Sequence, residues 1–157
     1  MSQRDIDVVV FGATSLTGRH VAAYLGQRAS ELGGLCWAAA ARDGAKVKRV
    51  LAAEGVEPPE TILAEGGDPS SLRAMASRAI VVLNLVGPYM LYGESVIEAC
   101  VDAGCHYVDL TGEIRGVGKA ATRKYKRHTC WSRTCRPAVI DFPVPGPRCP
   151  ARPRSES

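Results

Sequence analysis

A short apolar run that ends on glycine and passes directly into a helical pattern constrains this chain more than any other feature. Residues 6–11 read Ile-Asp-Val-Val-Val-Phe and stop at Gly12. Such continuous β-branched apolarity suits a strand covered on both faces, as in a parallel sheet. After Ala13-Thr14-Ser15-Leu16-Thr17-Gly18, apolar residues recur at helical spacing through Val21, Ala22 and Leu25 toward Leu32, and Gly33-Gly34 stops the helix. Strand, glycine turn and helix form the opening unit.

The same alternation continues. Residues 35–41 form a second apolar run, 43–54 a second helix candidate and 61–64 a brief third strand before Gly66-Gly67-Asp68. Pro69 stands where a helix begins, because its missing amide hydrogen is not needed in the first turn, and residues 70–77 continue that helix. Residues 80–85 read as a strand, residues 93 or 94 to 103 as a helix and 107–110 as a last short strand. Strands alternating with helices imply right-handed βαβ crossovers. The expected fold is therefore α/β, a Rossmann-like doubly wound parallel sheet.

The turn after the first strand presents unpaired backbone amides and the positive end of a helix to any bound anion. A diphosphate is the natural occupant. Gly12 allows the tight exit from the strand and Gly18 the close packing of helix on sheet, in a G-x-x-G-x-x-G variant whose middle position is Ser15. A serine has a Cβ where glycine has none. Either its backbone keeps a negative φ, or its hydroxyl faces phosphate oxygen.

The end of the second strand discriminates between cofactors, because an acidic residue there bonds the adenosine ribose while an arginine pairs with a 2′-phosphate. The strand ends Ala40-Ala41-Arg42, with Lys46, Lys48 and Arg49 close behind. A planar guanidinium suits phosphate bidentately, so NADP(H) is expected over NAD(H), and Asp43 is expected to cap the next helix. Asp68 has two readings, a contact at the adenine edge or the cap of the Pro69 helix. Val86-Gly87-Pro88 follows the fourth strand at the sheet's carboxyl edge, where it offers backbone to a flat ring, and is the expected nicotinamide contact. Tyr89 and Tyr92 could donate a proton to substrate, but neither sits in a Tyr-x-x-x-Lys arrangement, and packing is the role expected of them.

Composition separates two regions. Residues 1–113 carry 9 Lys/Arg against 14 Asp/Glu, while residues 114–157 carry 11 against 2, giving net charges of −5 and +9. The total of +4 therefore describes neither part, and a basic protein seeking nucleic acid is not the expectation. Six of ten prolines also follow Glu113, four of them within 143–150, which forbids helix or central strand there. With 46% hydrophobic and 23% charged residues, wholesale disorder and a fibrous protein are excluded. The 157 residues amount to about one domain, below the ~250–300 that a cofactor domain plus a substrate domain need.

Cys36, Cys100 and Cys105 lie in or beside apolar segments and are expected to be small buried hydrophobes. His128, Cys130 and Cys135 lack a fourth partner at finger-like spacing, so no metal is expected. No apolar run approaches the ~20 residues of a bilayer span, and no signal peptide pattern opens the chain. A reducing cytoplasmic setting is the expectation.

These pieces together resemble a known family. Val9-Val10-Phe11-Gly12-Ala13-Thr14-Ser15-Leu16-Thr17-Gly18, Ala41-Arg42, Val82-Leu83-Asn84-Leu85-Val86-Gly87-Pro88-Tyr89, Tyr92-Gly93 and Tyr107-Val108-Asp109-Leu110-Thr111-Gly112-Glu113 resemble the N-terminal NADP-binding domain of saccharopine dehydrogenase-like oxidoreductases, which include trans-acting enoyl reductases of lipid biosynthesis. The likeness covers residues 6–113. It implies hydride transfer between nicotinamide and a C=C or C=N bond of a small-molecule or lipid-like substrate in full-length relatives. In the family, further strands and a substrate and dimerisation region would follow. Here, from Ile114, the charge and proline pattern changes as it would in a different reading frame or degraded gene end.

The expectations are a dinucleotide-binding domain at 1–113 and a basic, proline-rich, partly disordered tail at 114–157. The expected contacts with NADP are Gly12, Thr14, Ser15, Leu16, Thr17, Gly18, Arg42, Asp68, Val86, Gly87 and Pro88, with catalytic residues unassigned. With its substrate wall missing, a truncated domain of this kind would bind cofactor with little turnover. Two alternatives come from other classes: a non-catalytic nucleotide-sensing or interaction module, and a nucleic-acid binder acting through residues 115–136.

Overall fold

Apolar strands alternate with amphipathic helices along the chain, and each strand lies parallel to its neighbours. The structure, a computed structural model, describes residues 4–110; the expected domain end at Thr111-Gly112-Glu113, the tail, and His128, Cys130 and Cys135 lie outside the described residues. The order is β1 (Ile6–Phe11), α1 (Leu16–Arg28), β2 (Trp37–Ala41), α2 (Gly44–Ala53), β3 (Thr61–Leu63), α3 (Pro69–Arg78), β4 (Ala79–Asn84), α4 (Tyr89–Ala103) and β5 (His106–Asp109).

The sheet order is β3-β2-β1-β4-β5, all pairs parallel. The apolar strand runs are explained by helices on both faces. On one side Val10, Trp37, Ala39 and Ala41 pack with Ala22 and Leu25 of α1 and Val47 and Leu51 of α2. On the other, Val9, Phe11, Ala38 and Ala40 meet Leu72 and Met75 of α3 and Val96 and Cys100 of α4. All five residues of β2 are buried, and four are alanines, whose small side chains let both helical layers approach. This is the doubly wound parallel sheet that the sequence pattern implies.

Two helix ends differ from the sequence reading. α1 stops at Arg28 rather than continuing toward Leu32, since Leu32 is 46% exposed and finds no core to hold a further turn. Gly34 and Leu35 instead bond back to the carbonyl of Ala29. α4 begins at Tyr89, four residues before Gly93. Its first turn places Met90 and Leu91 in solvent, so no apolar periodicity marks it, while Pro88 accepts from the amides of Leu91 and Tyr92.

Helix caps follow the residues expected of them. Asp43 Oδ1 accepts from the Lys46 amide at 2.9 Å and starts α2; Pro69 stands in the first turn of α3. At the amino edge of the sheet, Arg78, the last residue of α3, donates to Asp5 and to Glu60, tying the α3–β4 junction to the chain ahead of β1 and of β3. Cys100 and Cys105 are buried, as their apolar surroundings imply, and Cys36 is half-buried.

Gly12 and Gly18 decide how closely α1 approaches the sheet. A Cβ on Gly18 would lie 2.1 Å from the Gly12 carbonyl oxygen and 2.9 Å from the α-carbon of Ala13. Gly12 has φ +90°, and a Cβ there would meet Val86 Cγ2 at 2.8 Å. Gly18→Ala must push the helix off backbone atoms and is expected to cost the upper part of the ~1–3 kcal/mol typical of overpacking, measured by urea denaturation. A second prediction concerns acid. Arg78 holds the Asp5 carboxyl below its ordinary 3.8, so this pair stabilises the fold above that value and its contribution is lost as pH falls through the lowered one. Both side chains are well exposed (38% and 51%), so Asp5→Asn should cost no more than about 1 kcal/mol at neutral pH. Denaturation below about pH 4 should show the mutant and wild type converging.

Candidate functional site

A cleft of about 610 Å³ opens at the carboxyl ends of the strands. Its position follows from topology. The chain leaves β1 toward β2 on one side, while β4 returns on the other, and the divergence of these connections leaves a crevice above β1.

The floor is the β1–α1 turn. Gly12, Thr14 and Ser15 line the cleft. The Gly12 amide donates to Ala40 O at 2.8 Å and its carbonyl accepts from the Ser15 amide at 2.9 Å, which fixes the turn against β2. Ser15 keeps negative φ (−73°) and caps α1, its Oγ accepting from the Gly18 amide at 3.0 Å. The first of the two alternatives for Ser15 is thus realised, and its hydroxyl hydrogen can still donate to an anion. Leu16 and Thr17 open the helix, and their amides donate to no acceptor among the described residues. Leu16, Thr17 and Gly18 do not themselves line the cleft; Gly18 acts through the approach of helix to turn.

One side wall carries positive charge. Arg42, directly after β2, and Lys46, in the first turn of α2, both line the cleft. Neither has an ion pair among the described residues. Glu65, Gly66 and Gly67, after β3, continue this wall. Asp68 is not in the lining. Its Oδ1 accepts from the Ser70 amide at 2.9 Å and the Ser70 hydroxyl at 2.7 Å, and these Ser70 bonds hold its carboxyl below the usual value. Of its two readings, the cap of α3 is the one its side chain adopts.

The opposite wall is Leu85, Val86, Gly87 and Pro88; the Gly87–Pro88 peptide is cis. Beneath it lies Asn84, fully buried. Its Oδ1 accepts from the Val86 amide at 3.0 Å and its Nδ2 donates to Tyr107 Oη at 3.1 Å. Tyr107 in turn donates to Asp109 Oδ2 at 2.7 Å. Burial raises the Tyr107 pKa; the Asn84 bond opposes this and the neighbouring Asp109 carboxylate adds to it, so the phenol stays protonated.

Tyr89 and Tyr92 both pack. Tyr89 Oη donates to the Asn84 carbonyl at 3.2 Å. The ring of Tyr92 lies against Gly66, where a Cβ would come within 3.1 Å of ring atoms, and it lines the cleft.

The structure therefore brings Gly12, Thr14, Ser15, Arg42, Val86, Gly87 and Pro88 to one cleft. Lys46, Gly66, Gly67, Tyr92 and the Asn84–Tyr107 pair carried no assigned place in it from sequence. A lone amide closing the apolar run of β4, and adjacent glycines just before a capped proline, were the available signals. Among the described residues no group of three or more His, Cys, Asp or Glu could hold a metal.

The donor set suits a dinucleotide phosphate: free helix-start amides, a glycine turn with no room for a Cβ, and two unpaired cations one wall away. Comparison with known proteins gives the same result. Residues 8–139 match the family model for the saccharopine dehydrogenase NADP-binding domain, and the match continues past Glu113. The "Lipid droplet localized protein" of Caenorhabditis elegans is 39% identical over 127 residues, covering 77% of this chain and 29% of that protein. The saccharopine dehydrogenase-like oxidoreductase of Homo sapiens is 40% identical over 125 residues, covering 71% and 28%. A trans-acting enoyl reductase of Mycobacterium bovis is 36% identical over 113 residues, covering 72% and 27%. The chain thus spans under a third of the length of these relatives.

Two solved structures share the fold. Apo saccharopine dehydrogenase (L-Glu forming) of Saccharomyces cerevisiae superposes with a TM-score of 0.53 at 17% identity, covering 71% of this chain and 24% of that one. Triphenylmethane reductase of Citrobacter sp., complexed with NADP(H), gives 0.50 at 24% identity, covering 66% and 36%. From the match over residues 8–139, the chain belongs to the family of saccharopine dehydrogenase NADP-binding domains.

Proposed function

We propose that NADP(H) lies across this cleft in a defined direction. The adenosine 2′-phosphate meets Arg42 and Lys46, the diphosphate sits on the amides of Leu16 and Thr17 with the Ser15 hydroxyl beside them, and the nicotinamide lies against Val86-Gly87-Pro88. The observation that carries the reading is the pairing of unsatisfied helix-start amides with unpaired cations on the adjoining wall. Amides at a helix start favour anions through hydrogen bonding and the helix dipole together. Arg42, fixed directly after a central strand, supplies a planar fork to the extra phosphate.

When bound, the nicotinamide supplies hydride chemistry, and the domain's task is to hold and aim it. In whole proteins of the family we assign that hydride to a C=C or C=N bond of a small or lipid-like substrate. The location proposed is the cytoplasm. No helix among the described residues is long and apolar enough to cross a membrane, and one relative's name places that protein at lipid droplets.

Two measurements check this reading. Replacing a charge-assisted contact costs about 1.5–3 kcal/mol, so Arg42→Gln should weaken NADPH about 10–100-fold in a fluorescence titration while leaving NADH within about twofold. Equal loss for both cofactors would contradict the assignment of Arg42. Asp68→Ala should lower the melting temperature through loss of the α3 cap and leave NADPH affinity unchanged, whereas a weakened NADPH titration would return Asp68 to the adenine edge.

A further inference from the structure

We propose that Asn84 is the positioning residue for the nicotinamide side of the cleft. The proposal rests on the reading of the cleft as the NADP(H) site and extends it to a residue that does not touch the cavity. Among the described residues Asn84 is the one buried polar side chain. It ends a strand whose other residues are aliphatic. Burying an amide there is unfavourable unless its donors and acceptor are used.

The side chain uses its acceptor and one donor hydrogen, and the backbone carbonyl of the same residue accepts a third bond. The Val86 amide can only donate, which fixes Oδ1 toward it and Nδ2 toward β5. The Tyr107 phenol accepts from Nδ2 and passes its own hydrogen to Asp109, so the amide cannot rotate without breaking a second bond. Tyr89, in the first turn of α4, donates to the Asn84 carbonyl. The side chain thereby joins the turn after β4 to β5, while the main-chain carbonyl of the same residue takes the bond from α4, just ahead of Val86-Gly87-Pro88.

The consequence reaches the turn. Leu85 is held to Phe11 O at 2.8 Å, and Val86 Cγ2 lies 2.8 Å from where a Gly12 Cβ would stand. Asn84 therefore sets how far this wall stands from the diphosphate turn, and so where a ring resting on Val86-Gly87-Pro88 is held. None of its hydrogen bonds goes to Arg42, Lys46 or Gly66, which line the other wall. A positioning role for Asn84 predicts loss of affinity from one half of the cofactor alone. General damage to the fold would weaken both halves together.

The test compares NADPH with 2′,5′-ADP, which carries the 2′-phosphate adenosine half without nicotinamide. Both are titrated by calorimetry into the full chain, with circular dichroism of each variant. For Asn84→Leu, NADPH is expected to weaken more than tenfold and 2′,5′-ADP to stay within about twofold. Tyr107→Phe keeps the Oδ1 bond to Val86 and removes only the brace on Nδ2; a loss of about two- to fivefold for NADPH alone is expected, and this variant carries the test if Asn84→Leu does not fold. Parallel weakening of both ligands in a folded variant, or no change in either, would overturn the proposal. Wild-type protein that binds neither ligand would overturn the reading of the cleft itself, and with it this inference.

Discussion

The contact between the carbonyl of Gly12 and the α-carbon of Gly18 sets the geometry on which the rest of the structure depends. Helix α1 reaches the sheet this closely because neither residue has a Cβ, and a single added carbon would stand 2.1 Å from a backbone oxygen. The close approach seats the start of α1 against the β1–α1 turn that floors the crevice. The leading amides of α1, those of Leu16 and Thr17, find no protein acceptor among the described residues. An unpaired backbone donor is tolerated where water or an anion can reach it.

The remaining walls are placed by the same sheet. Arg42 follows β2 immediately, so its Cα is fixed by the parallel pairing of Ala39–Ala41 with β3 and of Ala38–Ala40 with β1. Val86 and Pro88 follow β4, whose register with β1 pairs Asn84 with Phe11. Three loops thus leave three neighbouring strands at one level, and each brings a different chemistry: amides, cations, and an apolar backbone surface. Asn84 and Tyr107 brace the third of these from below, while the first is braced by glycine packing and by Ser15.

The parts of this arrangement written as local pattern were legible in the sequence. Alternating apolar runs and glycine stops gave the strands and the sheet class, because a strand buried on both faces leaves little choice of residue. Gly12, Gly18 and Arg42 were legible because each answers a local need. Helix ends were less so: Leu32 continues the apolar spacing of α1 but meets no core, and the exposed Met90 and Leu91 hide the first turn of α4. Asp68 shows a different difficulty, since capping and ligand contact call for the same residue type, and only the bonds to Ser70 separate them. The Asn84–Tyr107–Asp109 chain was hidden because it joins residues 23 positions apart, whose adjacency arises only when β5 pairs with β4.

The most direct test of the central claim is a crystal structure of the chain with NADPH. Diphosphate oxygens are expected within hydrogen-bonding distance of the Leu16 and Thr17 amides, and the 2′-phosphate against the guanidinium of Arg42. A coenzyme bound elsewhere on the domain, or a turn whose amides are capped by protein atoms while NADPH is present, would contradict it.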